Sequence, residues 1–376
     1  MKPLVRATPF HSRAAAFNRD NAWINRNGFT LAAHYTDAQD EALAARLRVA
    51  IADISWRWRL VFEGPEAGDL LQKLVSKDPA KLVPGQGLKA LWLSEGGALR
   101  GTGLVARYGR ENFVLVSAAP DPEWIEAAAL AAKAQVRDAS EQSGALAIVG
   151  PYAAKLLLEA GIHPALEALH FRGVFWRGLD VTLSRWGEHG GYELWCKPDD
   201  APIVWDRLMR AGEAFGIAPA GVDAMDILDL EAGIARPVRD YDPALARDAI
   251  APAPRTLGLE SLIDSGHADF IGRRAWMKAR EAETRVLIGL EIEAGEPAPH
   301  SPVRAGEEAV GQVLASCHSP ALRRAIALAQ IDAPHAEPGT TVSVVLPATR
   351  QNPEFRNVAA QVAALPFLPA PDLLPP

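Results

Sequence analysis

The chain has 376 residues, of which 49% are apolar and 23% charged, with 39 Lys plus Arg against 46 Asp plus Glu and a formal net charge of −7. A chain of this length has room for two or three domains and buries roughly 75% of its unfolded surface, so it needs no disulfide or metal to hold it together. The acidic balance speaks against a nucleic-acid partner, which wants a dense basic face, Cys196 and Cys317 are too few for a disulfide framework or a four-ligand zinc site, and no apolar run approaches the ~20 residues of a membrane span.

The N-terminal Met1 to Arg13 is basic but lacks an apolar core, so it does not read as a secretory signal. A reducing cytoplasm is the expected compartment. One bias stands out: there are 10 Trp and only 5 Tyr.

Thr36 to Ala50 predicts a helix. Thr36 is its expected cap, with Gln39 three residues on, and its acids come early and its arginines late. Ile51 to Glu63 alternates from Ser55 onward and predicts a strand, with Trp56 and Trp58 on one face. Gly64 and Pro65 end it, and Pro65 to Val75 is helical. Gly85 to Leu93, Leu104 to Arg107 and Asn112 to Ser117 predict short strands, and Pro122 to Val136 a helix behind Asp121. Ala145 to Val149 is a strand, and Pro151 to Ala160 a helix stopped by Gly161. Val174 to Leu183 and Tyr192 to Cys196 predict strands, and Asp199 to Phe215 and Ala224 to Gly233 helices. Small groups of strands and helices mark an α+β fold.

A break is expected at Asp242 to Pro254. Beyond Arg285 the texture becomes β-like, with runs at Val286 to Ile292, Ala309 to Ala315, Arg324 to Gln330, Thr341 to Leu346 and Asn357 to Val362. Short strands without long helices between them predict a small barrel or sandwich. The Pro-rich Leu368 to Pro376 is expected to drape over the surface. Motifs for dinucleotide binding, nucleotide hydrolysis, serine hydrolysis and zinc binding are absent.

Fragments in order along nearly the whole chain resemble one family, the folate-binding aminomethyltransferases, which include the glycine-cleavage T-protein and tetrahydrofolate-dependent demethylases. They run from Ala7-Thr8-Pro9-Phe10-His11 through Asp53-Ile54-Ser55, Gly96-Gly97 and Val149-Gly150-Pro151. They continue with Gly191-Tyr192-Glu193-Leu194, Leu230-Glu231-Ala232-Gly233, Asp269-Phe270-Ile271-Gly272-Arg273, Ser319-Pro320 and Leu365-Pro366-Phe367. The resemblance implies a three-lobed α+β cloverleaf with folate in a central channel. Residues 1–284 would form the folate-binding region, with lobe one at about 1–50 and 146–258 and lobe two at about 51–145. Residues 285–376 would form a C-terminal β-barrel domain.

The site departs from the family pattern. Where the resemblance implies an acid pair in G-G-x-x-D-D, this chain has Arg100 and Gly101. The family's D-x-S-H-M reads Asp53-Ile54-Ser55-Trp56-Arg57, and its Y-T-G-E reads Trp186-Gly187-Glu188-His189. A tyrosine becomes Lys89, and two arginines become Met225 and Asp229. Glu193, which in the family reads the pterin through its ring N–H and amino group, remains.

Two enzymatic readings follow. The first is a tetrahydrofolate-dependent demethylase of a small anionic or aromatic methyl donor. Its expected catalytic residues are Arg100, Lys89 and His189, with Glu193, Trp186 and Met225 as cofactor contacts. Trp56, Trp58, Tyr35 and Arg236 would be substrate contacts; Trp92 is a further stacking candidate, and Arg236 and Arg239 are candidates to replace the lost arginines. Arg100 would hold a carboxylate or phenolate, a task suited to a guanidinium. The second reading is a folate-independent lyase that releases formaldehyde from a hydroxymethyl-bearing aromatic substrate. Lys89 or His189 would be the base and Arg100 the charge stabiliser. A third reading is an inactive folate-binding scaffold. The bland alternatives are a turn position for Arg100, solvated charges for Lys89 and Asp229, an exposed loop position for His189, and core packing for Met225 and the tryptophans. No metal site is expected, and the partner is a small molecule.

Overall fold

A computed structural model of the chain describes residues 5–376 except 120, 131, 188, 238, 242–252, 265, 267–268, 282, 348–353, 372 and 375–376. The break expected at Asp242 to Pro254 lies almost wholly outside the described residues. The chain divides into two units: Met1–Ala90, Thr102–Asp226 and Ala370–Pro376 form one, and Leu91–Gly101 with Ile227–Pro369 form the other.

The first unit is mixed α+β. Its six-stranded sheet runs in the order Phe171–Trp176, Leu179–Ser184, Tyr192–Cys196, Gly144–Val149, Ala50–Asp53 and Ala218–Pro219. Neighbours are antiparallel except the last pair. One face carries Leu146, Ile148, Leu183, Tyr192 and Leu194 into a core shared with Phe10, Leu157 and Trp205. A second sheet, of five strands, runs Gln86–Leu93, Leu99–Gly109, Asn112–Ser117, Trp58–Glu63 and Gln135–Asp138.

Several sequence expectations need correction. The helix expected over Thr36 to Ala50 spans Ala38–Leu47, and its cap is Asp37, whose carboxylate accepts from the Gln39 and Asp40 amides. The single strand expected over Ile51 to Glu63 is two strands in different sheets, Ala50–Asp53 and Trp58–Glu63. Asp53 makes the turn between them. Its Oδ1 accepts from the Ser55 amide at 2.9 Å, and its Oδ2 accepts from Thr8 Oγ1 at 2.5 Å. That local bond competes with strand continuation, so Trp56 lies in the turn and shares no strand face with Trp58. Val174 to Leu183 is a hairpin, with Arg177 and Gly178 both at positive φ, as a tight two-residue turn demands. The helix expected over Pro122 to Val136 stops at Ala129, and Gln135–Asp138 is a strand.

The second unit contains a closed six-stranded barrel. Its order is Arg285–Ile292, Arg324–Asp332, Glu308–Ser319, Pro302–Ala305, Thr341–Leu346 and Arg356–Ala363, and the last strand pairs with the first. Alternation does the sorting: Ala325, Ala327, Ala329 and Ile331 fill the barrel. Ile326 and Leu328 point the other way, into a cluster with Leu91, Leu93 and Trp276. The short Pro302–Ala305 strand carries no sequence signal and is an addition. Among the described residues no helix is long and apolar enough to cross a membrane.

Candidate active site

The Tyr192–Cys196 strand is buried throughout. Tyr192, Leu194 and Cys196 face the core, so Glu193 and Trp195 lie on the opposite face. Gly191 leads into this strand because a Cβ there would sit 2.2 Å from the Ile148 carbonyl oxygen.

Glu193 is 1% exposed, and a carboxylate so buried requires partners. It has two. Arg57 Nη1 donates to Oε1 at 2.7 Å, and Trp186 Nε1 donates to Oε2. Trp186 is itself buried, packed against Phe171 and edge-on to Trp195 at 6.2 Å. Arg57 and Trp186 are two of the positions where the chain departs from the family pattern. Together they give Glu193 a guanidinium N–H and a ring N–H, one on each oxygen.

Each oxygen therefore has one donor from its own chain and a second lone pair to spare. At 1% exposure, the carboxylate presents no open edge to a pterin's ring N–H and amino group.

The acid pair expected at Arg100 and Gly101 meets a second obstacle within the other unit. A Cβ on Gly101 would lie 2.4 Å from the Trp92 ring, and Trp92 is 1% exposed. An indole therefore occupies the space that a side chain at 101 would need. Trp92, one of the expected stacking residues, is packing. Gly97 turns the hairpin before it, at φ +84 with the Trp276 amide 2.5 Å from any Cβ.

The other expected residues separate. Arg100 lies half-buried in Leu99–Gly109 and belongs to the second unit. Lys89 is half-buried in Gln86–Leu93, and His189 is buried on the loop that carries Trp186. Met225 is half-buried on the helix Val222–Glu231. Trp56 is half-buried with the Arg26 guanidinium 5.3 Å from its ring centre, and Trp58 opens the Trp58–Glu63 strand.

Two expected substrate contacts are corrected. Tyr35 is a core residue beside Trp205, and burial pushes its phenol well above the ordinary range. Arg236 is buried and bonded from Nε and Nη2 to Asp240 at 3.0 Å each, so its charge is neutralised within its own turn. Burial pushes the Cys196 and Cys317 thiols each up to about 12, which favours the less reactive protonated form. Among the described residues no group of acids, His and Cys could hold a metal ion.

Sequence reasoning missed Arg57, Arg59, Tyr108 and Trp195. The Arg-x-Arg spacing of 57 and 59 was the available signal, since two arginines entering a buried strand require an explanation.

The fold and these motifs define a one-carbon transferase architecture, and the chain belongs to the glycine cleavage T-protein family. Residues 11–248 match the GCVT N-terminal domain, and residues 285–368 match the glycine cleavage T-protein C-terminal barrel domain. The family is a tetrahydrofolate-binding one. An aminomethyltransferase of Halalkalibacterium halodurans is 31% identical over 355 residues, covering 92% of this chain and 93% of that protein. A trimethylamine-oxide aldolase of Ruegeria pomeroyi is also 31% identical, over 91% of this chain, but the chain spans only 45% of the aldolase's length. The solved structure of the glycine cleavage system aminomethyltransferase T from Bartonella henselae has the same fold, with TM-score 0.84 at 22% identity, covering 98% of this chain and 99% of that one.

Proposed function

We propose that this protein is a one-carbon enzyme working as a folate-independent lyase, releasing formaldehyde from a hydroxymethyl-bearing anionic or aromatic substrate. One observation carries the reading: the carboxylate that would read the pterin is already bonded on both oxygens by Arg57 and Trp186 and is 1% exposed. Without an acceptor, the one-carbon unit must leave as a free aldehyde. A base takes the hydroxyl proton, the carbon–carbon bond breaks, and the pair left on the substrate is protonated. One relative, of which the chain spans 45%, is named a trimethylamine-oxide aldolase, and that name supports the reading. His189, on the loop between Trp186 and Glu193, is the proposed base.

The test is formaldehyde trapping with hydroxymethyl-bearing aromatic acids, with and without tetrahydrofolate. Release without folate, lost in His189→Ala, is the expected result, and Lys89→Ala and Arg100→Ala test their expected roles in the same assay. Turnover that strictly requires tetrahydrofolate would reject the lyase. It would favour the second reading, a tetrahydrofolate-dependent demethylase, for which the retention of Glu193 at its motif position speaks.

A further inference from the structure

The first unit holds a cavity of about 290 Å³ on the side of the sheet that carries Glu193 and Trp195. This is near the lower end of the size range of small-molecule sites. Val61, Val114 and Val116 of the five-stranded sheet supply apolar lining. Trp186, Trp195 and Tyr108 supply aromatic surface. Such walls suit a planar ring, which stacks or meets them edge-on.

The cavity also has a buried cation with no hydrogen-bonded carboxylate among the described residues. Arg59 is 4% exposed, lines the cavity, and lies with its guanidinium carbon 4.4 Å from the Trp195 ring centre. Its Nη2 donates to the carbonyls of Ser55 and Ser143 at 3.2 and 3.1 Å. Its Nε and Nη1 have no hydrogen-bond partner, and neither has the indole N–H of Trp195. Among the described residues no carboxylate bonds Arg59. Lys197, which also lines the cavity, adds a second cation, but Asp180 faces it at 3.5 Å and offsets it.

A buried guanidinium with no directly bonded acid is expensive, and unused buried donors are rare in native structures. Burial lowers the Arg59 pKa to about 10, while Tyr108, Glu193, Asp53 and Asp138 act to raise it. The group therefore stays cationic at neutral pH, beside the aromatic and apolar part of the cavity wall. Tyr108 is 45% exposed, and a phenol of ordinary pKa about 10 is a neutral donor at neutral pH.

We propose that this cavity binds a small aromatic carboxylate, with its ring among Trp186, Trp195 and Tyr108 and its charge offset by the buried Arg59 guanidinium. A neutral ring offers that guanidinium no charge. An aliphatic anion fills the charge but not the walls. That the bound carboxylate is the substrate rests on the lyase reading; that it binds does not.

Calorimetric titration of the full chain with benzoate and with benzamide separates the two. The rings are alike and only the charge differs. Benzoate binds about tenfold to a hundredfold more tightly than benzamide, the range for a hydrogen bond to a charged group. Arg59→Met, close in volume and tolerable because it removes a buried charge, abolishes that preference. Val116→Phe, which fills the cavity, abolishes binding of both. Equal affinity for benzoate and benzamide, no saturable benzoate binding to the wild type, or benzoate binding unchanged by Arg59→Met would each overturn the proposal. Formaldehyde release plays no part in this readout, so a failed lyase with intact benzoate binding, or the reverse, stays visible.

Discussion

Arg57 donates to a carboxylate of its own chain, Glu193, at 2.7 Å, whereas Arg59 on the same stretch donates only to backbone carbonyls and lies over Trp195. The first pair gives the buried Glu193 carboxylate a partner from its own chain. The second leaves a cation and two donors beside a cavity. Arg236 in the other unit shows what a purely structural buried arginine looks like: Asp240 neutralises it through two bonds. The contrast teaches that the informative feature is not a buried charge but a buried charge whose partner is missing. At one end of this face the chain supplies a bonded acid, and at the other, among the described residues, it supplies none.

The comparison can be broken from either end. The largest effect is expected for Glu193→Leu. It strips Arg57 of its counter-ion and the Trp186 N–H of its acceptor, and it should cost about 3 kcal/mol in urea unfolding. Unchanged stability would mean that Glu193 is not held by these bonds. Gly101→Asp comes next, at about 1–3 kcal/mol for overpacking against Trp92. Combining it with Trp92→Ala should recover part of that loss, and purely additive losses would show that the indole is not what excludes the acid.

Arg59→Met should leave the melting temperature equal or raised, since the apolar isostere relieves the buried charge. The sign with pH follows from its depressed pKa. In the folded state Arg59 loses its proton near 10, below the ordinary guanidinium range it has in the unfolded chain. Between those values the unfolded chain binds more protons, so wild-type stability gains on the variant as pH rises through about 10. A difference that stays flat through that window would place the guanidinium in solvent. Smallest is the thiol effect: with both cysteines pushed up to about 12, native alkylation at neutral pH should be slow beside that of the unfolded chain. Rapid labelling of either native thiol would contradict their burial.

Much of the fold was legible because ordered motifs and alternating runs report local geometry. The barrel strands follow from a period of two, and Gly161 and Gly216 end their helices at positive φ as glycine can. The failures have physical reasons. The Asp53 carboxylate bonds the Ser55 amide, so an alternating run broke into two strands in different sheets. Pro302–Ala305 is too short to show a period.

The site was legible only in part. Glu193 and Trp186 stood out as a retained and a changed motif position. Their bond, and the role of Arg57, depend on contacts far apart in sequence. Tyr35 and Arg236 were misassigned because burial beside Trp205 and pairing with Asp240 are tertiary facts. Arg59 was missed because an arginine in a strand is usually read as solvated, and only packing reveals that no acid meets it.

The central claim is that Glu193 is filled by the chain's own donors. Its most direct test is calorimetric titration of tetrahydrofolate into the wild type and Arg57→Met, which removes the guanidinium from Glu193 Oε1. The account predicts no saturable binding to the wild type below about 100 μM and measurable binding to the variant. Tight tetrahydrofolate binding by the wild type, unchanged in Arg57→Met, would contradict it.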